Sequence, residues 1–168
     1  HTTDEKIIGV QPTGERDYFN ESVFDDLHSS LDVPFIDGVS PSIRDRIAIL
    51  NLETNLSDPS VLLVGVDFST RASFGSFITL DGQEITDLGN TDFLMGKKTA
   101  EDLDASVGDR FILYSQGNYR ILTLTDIVQP GGRGGTGLNL FVTLPTAQDI
   151  LNKSGQINEI LISNKGGV

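Results

Sequence analysis

The stretch Thr91–Ser115, TDFLMGKKTAEDLDASVGDRFILYS, limits the possible folds more than any other part of this chain. It reads as strand, short helix, tight turn and strand. Phe93-Leu94-Met95 is an apolar run, and Gly96 frees the backbone behind it. Lys97–Leu103 carries good helix formers and sets Ala100 and Leu103 on one side. Val107-Gly108-Asp109 supplies a buried-type residue, a glycine able to take positive φ, and a short polar turn residue. Phe111 and Leu113 then alternate with Ile112 and Tyr114, as in a strand at least partly covered on both faces.

The rest of the chain adds more strands than helices. Lys6–Val10 is a short apolar strand, and Pro12 and Gly14 punctuate the turn after it. Asn20 or Ser22 caps a helix that aligns Phe24, Leu27 and Leu31, and Pro34 bounds it. Ile43–Glu53 reads as a strand, with Ile47 and Ile49 on one face. A polar turn at Asn55–Pro59 leads to a second strand, Ser60–Asp67, so apolar that it should be central; the two should form an antiparallel hairpin. Thr70–Phe77 is open between helical turn and loop, Ile78-Thr79-Leu80 is strand-like, and Asp81-Gly82 signals a turn. Gln116-Gly117-Asn118 joins Arg110–Ser115 to Tyr119–Val128 as a hairpin, with Leu122, Leu124 and Val128 on one face. Leu138–Thr143 is a strand. Pro145 suits the first position of a helix that buries Ala147, Ile150 and Leu151 and closes at Gly155. Ile157–Ser163 is the last strand.

Composition excludes several kinds of chemistry. The chain has 168 residues, enough for one ordinary domain or two small lobes. Its 24 acidic and 12 basic residues leave a formal charge of −12, which disfavours nucleic acid and anionic membrane surfaces as direct partners. Without cysteine there are no disulfides, thiolate metal sites or thiol catalysis. The longest wholly aliphatic run, Val61–Val64, falls far short of the roughly 20 residues a membrane helix needs.

No catalytic, cofactor-binding or metal-binding constellation emerges. His28 beside Leu27 is a helix-boundary histidine, and no nucleophile–base pair accompanies it. Asp81–Glu84 does not fill a calcium loop, and histidine spacing gives no metal site. Asp25-Asp26 and Glu101-Asp102 are solvated pairs on helices. Pro130–Gly137 (PGGRGGTG) lacks the lysine and hydroxyl that end a phosphate loop, so it reads as a flexible link. Tyr114 and Tyr119 flank a hairpin turn, where cross-strand packing is the ordinary role; a surface for a sugar or partner is the alternative.

Several of these segments together resemble the extracytoplasmic domain of ABC-transporter permeases of the MacB/FtsX/LolC type, the MacB-like periplasmic core domain. Gly96, Ala100, Leu103, Val107, Gly108 and Asp109 match its LG-x-x-x-A-x-x-L … VGD segment, with Met95 replacing the leucine. Gly38, Val39, Ser40 and Pro41 match a GV…VSP turn, and Val64, Gly65, Val66 and Asp67 a V-x-G-V-D strand. Near the end Val142, Leu144, Pro145, Ala147, Gln148, Leu151, Ile157, Asn158, Ile160 and Ile162 fit a helix-then-strand pattern. The resemblance implies an α+β fold of two lobes. A mixed α/β, porter-like lobe would be formed by both chain ends, 1–90 and 138–168. A mostly β lobe with one short helix, 91–137, would be inserted, with hinges near Leu88–Asn90 and in Pro130–Gly137. It also implies a domain lying outside the cell membrane between membrane helices. That domain would transmit ATP-driven motion and catalyse nothing. Its partners would be its own permease helices, a second permease copy, a cytoplasmic ATPase and an extracytoplasmic accessory protein, and not nucleic acid. A module binding a peptide, lipid or sugar between the lobes is the second expectation. A hydrolase ranks last.

Overall fold

The computed structural model describes residues 5–10, 16–30, 36–70 and 76–164. The expected turn at Pro12–Gly14, the helix end at Leu31–Pro34 and most of Thr70–Phe77 lie outside them. The described residues form mostly strands with few helices, an α+β architecture.

One long strand organises the sheet. β4 (Ile36–Asn51) follows β1 (Glu5–Val10), β2 (Arg16–Asp17), β3 (Phe19–Asn20) and helix α1 (Ser22–Ser30). After it come β5 (Ser57–Val66), the small hairpin β6 (Phe77–Ile78) and β7 (Glu84–Ile85), then β8 (Asp92–Gly96). Helix α2 (Lys97–Asp102), β9 (Arg110–Ser115), β10 (Asn118–Val128) and β11 (Asn139–Thr143) follow. Helix α3 (Leu144–Ile150), β12 (Gln156–Ile157) and β13 (Glu159–Asn164) complete the order.

β4 pairs with β13 along its first half, with β5 from Ser42 onward, and with β9 at Ala48–Asn51. The order β4-β5-β11-β8-β10-β9 therefore returns to β4 and closes a barrel, which leaves no free edge there. β13, β1 and β2 extend the sheet outward from β4.

Gly38–Pro41 is thus strand and not turn: Val39 lies opposite Ile162 and Pro41 opposite Ile160. The Ser42 carbonyl accepts from Asn158 N–H on the β13 side, so alternation points the nitrogen of Pro41 the other way. β5 has not yet joined the ladder at that position, and the missing N–H costs no rung.

The interior of the barrel is one core. Ile47, Ile49, Val61, Leu63, Phe93, Met95, Phe111, Leu113, Leu122, Leu124, Leu140 and Val142 are buried in a single cluster. Phe93 and Phe111 meet edge-on at 5.2 Å. Helix α3 packs on β4, β5, β9, β10 and β11 and adds Ala147 and Ile150. Gly65 lets it approach, since a Cβ there would lie 2.6 Å from that of Ala147. A second cluster lies on the outside of the barrel: Val64, Val66, Leu94 and Phe141 meet Phe77 and Val128, with Phe68, Ile85 and Leu88 over them.

The segment 91–137 does not stand apart in the hydrogen bonding. β8 pairs with β11, β9 pairs with β4, and their apolar residues share the core of the chain's other strands. The order strand, helix, turn, strand holds over Thr91–Ser115. Ala100 and Leu103 are buried as expected, whereas Val107 is 57% exposed. Gly96 has ordinary extended φ of −65°. It is glycine because a Cβ would lie 2.8 Å from the Gly137 Cα and closer still to its carbonyl. That carbonyl accepts from Lys98 and Thr99 N–H and so caps α2. The β9–β10 turn is a two-residue one, with Gln116 at φ 45° and Gly117 at 85°. Leu122 and Leu124 face the barrel core, but Val128 faces the outer cluster, because a bulge between Leu124 and Asp126 shifts the register. Helix α3 begins under Thr143, whose Oγ1 accepts from Thr146 N–H at 3.4 Å. It ends with Asn152 in the left-handed region at φ 54°, not at Gly155.

Candidate functional site: an arginine-rimmed groove

On β4 the residues Ser40, Ser42, Arg44 and Arg46 lie on the face opposite the core. Beside them β5 presents Leu62, Val64 and Val66, β11 presents Phe141, and β13 presents Leu161. The turn before β11, with Arg133, Gly135, Thr136 and Leu138, forms a wall. The resulting groove holds about 610 Å³. Three of the chain's 12 basic residues line it, a local concentration of cations in a protein of charge −12.

The three guanidinium groups are held differently. Arg44 Nε donates to Glu159 Oε2 at 2.9 Å, and the Glu159 side chain is wholly buried. Asn158 fixes the backbone of Arg44: its Nδ2 donates to the Arg44 carbonyl at 2.7 Å, and its Oδ1 accepts from Arg44 N–H at 2.9 Å. Arg133 Nη2 donates to the Asp67 carbonyl at 3.3 Å, and its guanidinium lies 5.6 Å from the Phe77 ring centre. Burial lowers the Arg133 pKa and the Asp67 charge opposes that shift; a guanidinium remains cationic. Arg46 is exposed, its Nη1 3.5 Å from the Ser60 carbonyl, and no carboxylate among the described residues pairs with it.

The glycine run beside the groove is folded. Gly132–Gly134 makes a 3-10 turn, Gly131 N–H donates to the Gly135 carbonyl, and Gly134 N–H to that of Gly131. Tyr114 and Tyr119 lie directly opposite each other on the outside of β9 and β10, 46% and 56% exposed. Glu101 and Asp102 are exposed on α2. Asp25 and Asp26 are exposed on α1; His28 belongs to the same helix, its side chain outside the described set. Asp81–Gln83 lies in the β6–β7 turn and Glu84 opens β7. Among the described residues no three His, Cys, Asp or Glu side chains cluster as a metal site would require, and no helix is long and apolar enough to cross a membrane.

The groove itself was not legible. Its arginines are spread from position 44 to position 133, and only the Arg44-x-Arg46 alternation on one strand face hints at it.

The barrel with its β13–β1–β2 extension and the helix packed on it define a class: the chain has the fold of the extracytoplasmic domains of MacB-type ABC permeases. The periplasmic region of MacB from Actinobacillus actinomycetemcomitans superposes with a TM-score of 0.66 at 16% identity, covering 97% of this chain and 74% of its own. The extracellular domain of the ABC-type transporter YknZ from Gram-positive bacteria gives 0.64 at 15%, covering 98% and 84%. A permease-protein domain from Porphyromonas gingivalis gives 0.57 at 14%, covering 86% and 67%. No protein-family model and no curated protein matches the sequence. At these identities the shared property is the fold.

Proposed function

We propose that the chain is the extracytoplasmic domain of a MacB/FtsX-type ABC permease. In this reading it passes ATP-driven motion of the membrane helices to an external partner or cargo and catalyses nothing itself. The observation that carries the reading, beside the shared fold, is the placement of the first and last strands. β1 and β13 are antiparallel neighbours, with Glu5 opposite Ile162. The chain therefore enters and leaves on the same edge of the molecule, where two adjacent membrane helices could hold it. Its partners are then those helices, a second permease copy, a cytoplasmic ATPase subunit and an outer accessory protein.

The coding sequence on either side of the chain tests the topology: one apolar span before it and three after it are expected, and their absence would overturn the reading. Transmission is tested by spin-label distances between two copies of the domain in the membrane-embedded permease. A shift between ATP-bound and nucleotide-free states is expected; identical distances in both would refute transmission.

A further inference from the structure

We propose that the groove over β4, β5 and β11 is a binding site for a single-chain amphiphile with an anionic head, a carboxylate or a phosphate. The argument rests on the groove alone and holds whether or not the permease reading does. Register sets the path. Arg46 lies opposite Leu62, Arg44 opposite Val64, and Val64 in turn opposite Phe141. An anionic head at Arg46 thus places its tail over the partly exposed Leu62 toward Leu138 on the Arg133 turn. Arg44 is committed to Glu159, whereas Arg46 is exposed and offers its guanidinium donors to a ligand. The volume of about 610 Å³ suits one small molecule.

The backbone decides between an acyl chain and a peptide. β4 is paired with β13 and β5, β5 with β4 and β11, and β11 with β5 and β8. Each strand under the groove has a neighbour on both sides, so no free row of N–H and C=O groups is present for an added peptide strand. An acyl chain needs none, and the partly exposed aliphatic side chains of Leu62, Leu138 and Leu161 suit it.

The test is calorimetric titration of the chain with decyl phosphate and decanoate below their micellar concentrations. Neutral decyl maltoside, inorganic phosphate and an acidic ten-residue peptide serve as comparisons. Saturable one-to-one binding of an anionic decyl compound is expected, about tenfold tighter than decyl maltoside, from one charge-assisted contact. A preference for phosphate points to a phospholipid-like head and a preference for carboxylate to a fatty acid; either supports the site. Arg46→Ala should weaken the anionic ligands about tenfold and leave decyl maltoside unchanged. Leu138→Asp, an exposed wall position, should weaken every decyl compound. Both positions are exposed, and unchanged unfolding midpoints will show that the variants fold; should Arg46→Ala fail to fold, Arg46→Gln replaces it. No saturable binding, equal affinity for the neutral compound, tighter binding of the peptide, or indifference to Arg46→Ala would each overturn the proposal.

Discussion

Asn158 carries a load that its single position in the chain conceals, and Asn158→Ala should expose it. The residue is wholly buried one step before β13. The backbone ladder between β13 and β4 starts at Glu159 opposite Ser42. The Asn158 side chain adds the next rung, with bonds of 2.7 and 2.9 Å to the carbonyl and N–H of Arg44. Alanine removes both partners at once. A buried backbone group left unpaired costs about 1–3 kcal/mol, so the pair costs about 2–6 kcal/mol. Arg44 is only half-buried, and water reaching it brings the expectation to about 2–4 kcal/mol. For a domain of this size that lowers the unfolding midpoint by roughly 5–15 °C. Thermal and urea unfolding followed by circular dichroism measure it, with the urea slope unchanged. Glu101→Gln, on the exposed face of α2, should stay within about 0.5 kcal/mol of the parent. A loss below about 1 kcal/mol for Asn158→Ala would mean that solvent replaces both bonds, and the reasoning would fail.

Other substitutions probe other contacts. Gly65→Ala puts a Cβ 2.5 Å from Ile43 Cγ2 and 2.6 Å from Ala147 Cβ. It should cost about 1–3 kcal/mol in urea unfolding, and a second change, Ala147→Gly, should recover only part because the Ile43 contact remains. Arg44→Ala removes one donor from the wholly buried Glu159 and should cost about 1–3 kcal/mol in urea unfolding; Arg44→Met with Glu159→Gln should recover part of it. Burial, then the nearby Asp81 charge, raises the Asp126 pKa in the folded state. The folded chain therefore binds that proton more tightly than the unfolded one, and ionisation counts against folding at neutral pH. Asp126→Asn should stabilise at pH 7 by under about 1 kcal/mol, since the group is largely solvated, and the gain should vanish as pH falls below the carboxylate range.

What could be read in the sequence was local. The turn at Gln116-Gly117, the proline start of α3 and the buried pair Ala100 and Leu103 depend on neighbours within a few residues. What escaped depends on residues far along the chain. Gly96 reads as a source of backbone freedom, but its role is set by Gly137, far along the chain. A single register puts Val128 with Leu122 and Leu124, but a bulge, which has no fixed residue signature, turns it to the other face. The resemblance implies a turn at Gly38–Pro41; β13 makes it a strand by pairing from the far end of the chain. The same limit hid the groove, whose walls come together only when β11 settles between β5 and β8.

Barrel closure also bears on how such a domain can move. Swinging 91–137 against the remainder would open the β8–β11 and β9–β4 ladders and expose Phe93, Phe111 and Leu113, each fully buried. That costs several hydrogen bonds and several large apolar side chains, comparable to much of a domain's whole stability. If the domain passes motion as proposed, the barrel would then move as one body, with compliance confined to its attachments. A crosslink tests this. Ala48 and Tyr114 face each other across the β4–β9 seam, and the chain has no cysteine of its own, so A48C with Y114C gives a single possible disulfide. Under the proposed function, the oxidised pair in the membrane-embedded permease should leave the nucleotide-dependent shift between domains intact. If oxidation abolished that shift and a reductant restored it, the seam would have to open during the cycle, and rigid-body transmission would be refuted.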